Sequence, residues 1–232
     1  MKIALLGYGK MGKMLDDLAP SRGMEVVQRL DVWNNQDGAG ITAENFRGVE
    51  AAIDFSTPRA ALANVPRVLE LGVNLVVGTT GWLGEIEAVR AVVERTGAGL
   101  VYGSNFSIGV NVFFRIVSEA ARLFQEHPDY DPWVYEIHHK AKLDAPSGTA
   151  LKLRDLLAAR YAGRDFSVAS SRAGNVPGEH TVGFDAEADT ITLTHTARGR
   201  KGFALGALRA AEWIRGRKGF YEFSDVLFSP PA

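Results

Sequence analysis

Over the first hundred residues, short apolar runs alternate with segments whose apolar positions recur every three or four residues. The runs "KIALLG", "MEVVQRLD", "EAAIDFS", "NLVVGTT" and "AGLVYGSN" read as five strands. Between them, "KMGKMLDDLAPS", "PRAALANVPRVLELG" and "EIEAVRAVVERTG" read as helices, the second entered through Pro58 and closed by Gly72. Runs that are apolar throughout belong to strands covered on both faces. Strand–helix alternation of this kind predicts an α/β fold, a Rossmann-type doubly wound parallel sheet.

Beyond Phe106 the pattern changes. "GVNVFFRIVSEAARLFQEH" places Val110, Phe113, Val117, Ala120, Ala121 and Phe124 on one face of a long helix. The β-type runs "WVYEIHH", "FSVAS", "HTVGF" and "TITLTHT" follow, and the last two alternate as half-buried antiparallel strands do. A helix from about Ser147 to near Gly163 carries Leu153, Leu156, Leu157 and Tyr161 as its apolar stripe. A last helix, "GFALGALRAAEWIRG", and the tail "FYEFSDVL" close the chain. The division expected is a dinucleotide-binding domain over 1–105, with 206–232 packing back on it, and a second α+β domain over 106–205.

Composition narrows the functional classes. A chain of 232 residues, 46% hydrophobic and 23% charged, is an ordinary globular composition, and a formal charge of -1 favours neither nucleic acid nor membrane as partner. With no cysteine, thiolate metal sites, disulfides and cysteine nucleophiles are excluded. The apolar run in "MKIALLGYGKMG" is too short for a signal-peptide core, so the expected location is the cytoplasm.

Candidate chemistry begins where the first strand runs into "GYGKMG". Gly7, Gly9 and Gly12 have GxGxxG spacing, with Tyr8, Lys10 and Met11 between them, and a helix follows. Such glycines allow a tight turn and close approach of the backbone to a pyrophosphate at a helix N-terminus. Asp31 closes the next strand nineteen residues beyond Gly12, where a carboxylate accepts hydrogen bonds from a ribose hydroxyl. The competing reading is a purely structural strand–helix turn. Val32, Trp33, Asn34 and Asn35 follow Asp31 without a cation, which predicts NADH as the preferred cofactor and NADPH as the second. Two loops at carboxyl ends of strands, "FSTP" with Phe55 and Ser56 and "GTTGW" with Gly78, Thr79 and Thr80, suit contact with the same cofactor.

The densest titratable stretch is "EIHHKAKLDAPSGTA", Glu136 to Ala150. Its helix starts after Pro146, with Ser147 or Thr149 as cap, and Gly148 lets a ligand reach the free backbone N–H groups. That end suits a carboxylate or phosphate. Lys140 and Lys142 add cations, and His138 and His139 supply groups that exchange protons near neutral pH. A capped helix with surface lysines and a packed histidine is the bland alternative. No metal site is expected, since adjacent histidines on a strand point to opposite faces. A serine nucleophile at Ser147 lacks the GxSxG elbow.

The same stretch resembles the signature of the dihydrodipicolinate reductase family, Glu-x-His-His-x-x-Lys-x-Asp-Ala-Pro-Ser-Gly-Thr-Ala, at every fixed position. "IDFSTP", "VVGTTGW", "SNFSIGVN" and "GEHTV" follow the family in order, so the resemblance spans nearly the whole chain. It implies reduction of a cyclic dicarboxylate imine by NADH or NADPH on the diaminopimelate route to lysine. It further implies His138 as acid/base residue, Lys142 as proton donor, and His139, Ser147, Gly148 and Thr149 as holders of the substrate carboxylates. Ser104, Asn105 and Phe106 join the cofactor-binding set, the second domain becomes the substrate-binding and oligomerisation domain, and the expected assembly is a homotetramer. Lys140 stands at a position the family pattern leaves free. Two departures are visible: "GYGKMG" is one residue shorter than the commoner family loop, with Lys10 in place of arginine, and the segment between Arg172 and "GEHTV" is shortened.

The rival readings are another two-domain NAD-dependent dehydrogenase and a non-catalytic NAD-binding regulator. Neither needs the two histidines, the lysine and the Ser-Gly-Thr turn together.

Overall fold

The computed structural model describes residues 1–228, so positions 229–232 of the expected C-terminal segment lie outside the described residues. Two compact units are present: Met1–Ile108 with residues 201–228, and Gly109–Arg200.

In the first unit, six strands form one sheet: β1 (Lys2–Leu6), β2 (Glu25–Leu30), β3 (Ala51–Asp54), β4 (Asn74–Val77), β5 (Gly99–Tyr102) and β10 (Gly219–Glu222). Their order is β10-β5-β4-β3-β1-β2, and every neighbouring pair is parallel. Helices α1 (Lys10–Leu18), α2 (Pro58–Glu70), α3 (Ile86–Thr96), α6 (Lys201–Ile214) and α7 (Phe223–Phe228) belong to the same unit. The apolar runs explain the layering. Along β1, Ala4 and Leu6 enter a core with Val65 and Val68 of α2 and Val89 of α3, whereas Ile3 and Leu5 enter a second core with Leu15 of α1 and Leu208 of α6. Successive side chains point to opposite faces, so only a strand covered by helices on both sides is apolar at every position. The doubly wound α/β architecture expected from the sequence is therefore the one observed. Strand order reverses between β1 and β3, the switch point at which open sheets of this kind bind ligands.

The second unit holds a mixed sheet of order β7-β6-β8-β9, from β6 (Asp131–His138), β7 (Ser167–Arg172), β8 (Glu179–Asp185) and β9 (Thr190–Thr196). β6 pairs parallel with β7, while β6 with β8 and β8 with β9 are antiparallel. One face, with Val134, Val182 and Phe184, packs on Phe113, Val117 and Ala121 of α4 (Ile108–Phe124) and on Leu153 and Leu157 of α5 (Gly148–Ala158).

Two elements differ from the expectations. The helix expected to run to near Gly163 stops at Ala158; Tyr161 still packs into the core, from a turn rather than a helix. The tail "FYEFSDVL", left without an assignment by its pattern, divides into β10 and α7. Among the described residues no helix is long and apolar enough to cross a membrane.

Candidate active site

The glycine loop sits at the carboxyl end of β1, and its three glycines meet three different demands. Gly7 has φ +86°, and a Cβ there would strike the backbone of Phe55 and Ser56. At Gly12 a Cβ would collide with the Gly7 carbonyl oxygen, so this glycine lets α1 close onto the loop. Around Gly9 the space is open, and Gly9 caps α1 without any side chain taking its first N–H groups. That is a backbone cradle open to a phosphate. Tyr8 is tied at both ends: its amide donates to Asp31 Oδ2 (2.9 Å), and its hydroxyl donates to Asp16, which Arg29 grips with two bonds of 2.7 Å. Lys10 is exposed at the start of α1, with Met11 half-buried behind it.

A cavity of about 300 Å³ opens beside this loop, lined by Gly7, Asp31, Val32, Asn35, Ser56, Arg59 and Asn64 among others. Glycine cradle, uncapped helix and carboxylate have the chemistry that a dinucleotide requires. Arg59 is a cation that the residues after Asp31 did not reveal; it lies 3.7 Å from Asp37 and comes from the start of α2.

Beneath the cavity is a buried network missing from the sequence-derived list. Asp54 accepts from the Ser56 amide (2.9 Å) and hydroxyl (2.7 Å), from Thr79 Oγ1 (2.7 Å) and from Asn64 Nδ2 (2.9 Å). Asn64 in turn accepts from Asn35 (2.9 Å). The network joins the loops after β3 and β4, so Ser56 and Thr79 are brought together, but both hydroxyls are engaged by Asp54. Phe55 lies over Gly78, where a Cβ would strike its ring. Thr80 and Ser104 are exposed and Asn105 is half-buried. Phe106 corrects its assignment: its ring is buried in the core, 4.6 Å from the Phe223 ring and 6.1 Å from that of Phe55, so it offers no side-chain surface to a ligand.

In the second unit the signature stretch folds around Glu136. This carboxylate is fully buried on β6, and its Oε1 accepts from the Ser147 amide (2.9 Å), Ser170 Oγ (2.8 Å) and Arg172 Nη2 (3.1 Å). Oε2 accepts from the Ser147 hydroxyl and lies 3.3 Å from His138 Nδ1 and 3.4 Å from His180 Nε2. Burial alone would raise the Glu136 carboxyl; the bonds from Ser147, Ser170 and Arg172 prevail and hold it down at about 2. Burial lowers His138, with Glu136 opposing, and lowers His180 to about 4.

Ser147 caps α5, its Oγ accepting from the Ala150 amide (3.3 Å). It departs from its expected role, because its amide and hydroxyl both donate to Glu136 and are not offered to a ligand. Gly148 is exposed, and Thr149 and His139 are half-buried nearby in the chain. Lys142 Nζ is held on Asp144 (2.7 and 2.9 Å), and Arg172 donates to the carbonyl oxygens of both Lys142 (3.3 Å) and Asp144. Glu136, His138 and His180 also carry donor atoms within 4.8 Å of one another. Arg172 already supplies the positive charge there, and we assign no metal to them. In this unit, Ser170, Arg172 and His180 are the residues that sequence reasoning missed. The "GEHTV" motif held a signal for His180, since it places a histidine on a strand of the same sheet.

Comparison with known proteins adds to this geometry. The descriptions "Dihydrodipicolinate reductase, N-terminus" and "Dihydrodipicolinate reductase, C-terminus" match residues 1–106 and 109–227. The chain is 37% identical to the 4-hydroxy-tetrahydrodipicolinate reductase of Christiangramia forsetii, covering 98% of each chain. It is 34% identical to that of Methanosarcina mazei, over 97% of this chain and 98% of the other. In structure it is similar to the dipicolinate-bound dihydrodipicolinate reductase of a Paenisporosarcina species, with TM-score 0.83, 22% identity and coverage of 98% and 99%. An amine dehydrogenase from Mycobacterium smegmatis shares the fold at TM-score 0.64 and 11% identity, over 97% of this chain and 95% of the other.

Proposed function

Because the chain belongs to the dihydrodipicolinate reductase family, we propose that it reduces 4-hydroxy-tetrahydrodipicolinate to tetrahydrodipicolinate, in the biosynthesis of diaminopimelate and lysine, at the expense of NADH or NADPH. The observation that carries this reading is the meeting, around Glu136, of proton-carrying side chains at the end of β6 with an anion-binding helix start at α5. A dehydrogenase of another class or a regulator has no use for that pairing.

The reduced nicotinamide, when bound, supplies a hydride. The chain's own residues do the rest. Backbone N–H groups at Gly148 and Thr149, with the Thr149 hydroxyl and His139, hold a substrate carboxylate at the positive end of α5. The substrate's 4-hydroxyl leaves as water, and to the conjugated imine so formed the Lys142 ammonium donates the proton that balances the hydride, with His138 as the acid/base group beside it. Asp144 keeps Lys142 placed meanwhile. In the first unit, the Gly9 cradle takes the pyrophosphate and Asp31 the ribose; Tyr8, Lys10, Met11, Ser56, Gly78, Thr79, Thr80, Ser104 and Asn105 shape that site.

NADH is the preferred cofactor, since the Asp31 carboxylate opposes a 2'-phosphate, while Asp37 partly neutralises Arg59. Comparing kcat/KM for the two cofactors tests this; a strong NADPH preference overturns it. The assembly is a homotetramer built on the outer face of the second sheet, where Trp133, Tyr135 and Ile137 alternate with buried positions and Gly183 makes room for the Trp133 ring. Light scattering that gave a monomer would reject it. A cysteine-free chain suits the reducing cytoplasm.

For the catalytic roles, His138→Gln and Lys142→Ala should each lower kcat by about a hundredfold or more without unfolding the protein. Near-normal turnover in both rejects the assignment.

A further inference from the structure

Glu136 has no part in the reaction as written above, yet it is the most heavily engaged side chain of the second unit. A fully buried carboxylate is a costly group that is tolerated when its partners are complete. Here they are Ser147, Ser170 and Arg172, and two imidazoles besides. The His138 and His180 rings stand edge to face, 5.0 Å between centroids. Each has a buried Nδ1 that makes no hydrogen bond among the described residues.

We propose that Glu136 is a positioning residue with two outputs: through Ser147 it holds the start of α5 where a carboxylate binds, and through its charge it sets the proton affinity of His138. The proposal rests on the reductase reading for its purpose and on the geometry for its content. One oxygen is bound to the Ser147 amide and the other faces His138, so a single carboxylate touches both halves of the site.

The charges facing His138 are few. Glu136 lies on its own strand, Arg172 on β7 and His180 on β8, with Lys142 and Asp144 in the loop that follows; Gly178 abuts the ring, where a Cβ would stand 2.9 Å from Nε2. Of these, Glu136 and Asp144 favour the imidazolium, and Lys142 and Arg172 oppose it, along with burial. Removing the Glu136 charge leaves Arg172 uncompensated, so the histidine should become harder to protonate. A merely structural role predicts the reverse, because a loosened, wetter His138 returns upward toward its ordinary value.

The test is an NMR titration of the His138 ring in the full-length protein, without substrate. In Glu136→Gln its midpoint should fall by about 1 pH unit, and affinity for the probe pyridine-2,6-dicarboxylate should drop by about tenfold. In Arg172→Gln the midpoint should rise, while the Ser147 amide stays protected from hydrogen exchange. An unchanged or raised midpoint in folded Glu136→Gln overturns the proposal. Should that variant not fold, Arg172→Gln decides: no rise, or loss of Ser147 protection, counts against it. Absence of reductase turnover in the parent protein would sink the proposed function and leave these titrations as they stand.

Discussion

Gly9 and Gly12 belong to one motif and fail in different ways. Alanine at Gly12 must displace the Gly7 carbonyl and should lower stability by about 1–3 kcal/mol, read from denaturant unfolding. Alanine at Gly9 meets open space and should leave stability within about 1 kcal/mol, while weakening NADH binding in a fluorescence titration. Equal effects on both quantities would contradict the division of labour. The spacing of these glycines is visible in the sequence because the whole device is local. Glu136 is a different case: the signature displays it, but its partners Ser170, Arg172 and His180 lie more than thirty residues further on, brought in by strand pairing alone. No local pattern announces a residue whose meaning depends on three strands. The Ser147 hydroxyl and the Phe106 ring differ from expectation for a related reason, since a group named by a motif can be turned inward by the fold.

At the level of elements, periodicity identifies the long helices and the apolar strands β1, β3, β4 and β5, where side-chain pattern and burial coincide, and β2 is legible although only half-buried. β10 escaped because "GFYE" is short and only half-buried, and its place beside β5 comes from parallel pairing of Gly219–Glu222 with Gly99–Tyr102. The strand is nonetheless tied into the unit. Just after it, Phe223 is buried, tilted against Phe106 at 4.6 Å, and Asn74 of β4 bonds both the Ile214 carbonyl (2.6 Å) and the Gly99 amide (2.7 Å). Phe223→Ala should therefore cost about 3–5 kcal/mol. A melting temperature close to that of the parent would mean that the C-terminal segment contributes little to the first unit. α5 ended before Gly163 because the stripe continues into a turn: Tyr161 is buried, as a helical position would be, so periodicity could not mark the boundary.

For the whole molecule, the buried cluster makes stability depend on pH in two windows. His180 titrates near 4 when folded against 6.5 ordinarily, so the unfolded chain gains a proton first and stability falls as pH drops from about 6.5 to about 4. Glu136 is depressed from 4.5 to about 2, so its contribution, full above about 4.5, is lost as pH falls toward 2. Thermal scans across this range should show a melting temperature that declines from near neutrality downward; a flat profile between pH 6.5 and 4 would argue against a buried neutral His180. The fold class and the family resemblance were legible in the sequence, whereas the buried polar networks around Asp54 and Glu136 were not. The central claim is the reduction itself. Its most direct measurement is the oxidation of NADH by the purified chain when freshly generated 4-hydroxy-tetrahydrodipicolinate is supplied, followed by absorbance. Rapid oxidation that depends on the substrate, competes with pyridine-2,6-dicarboxylate and collapses in Lys142→Ala is the predicted result; no oxidation with either NADH or NADPH would contradict the account.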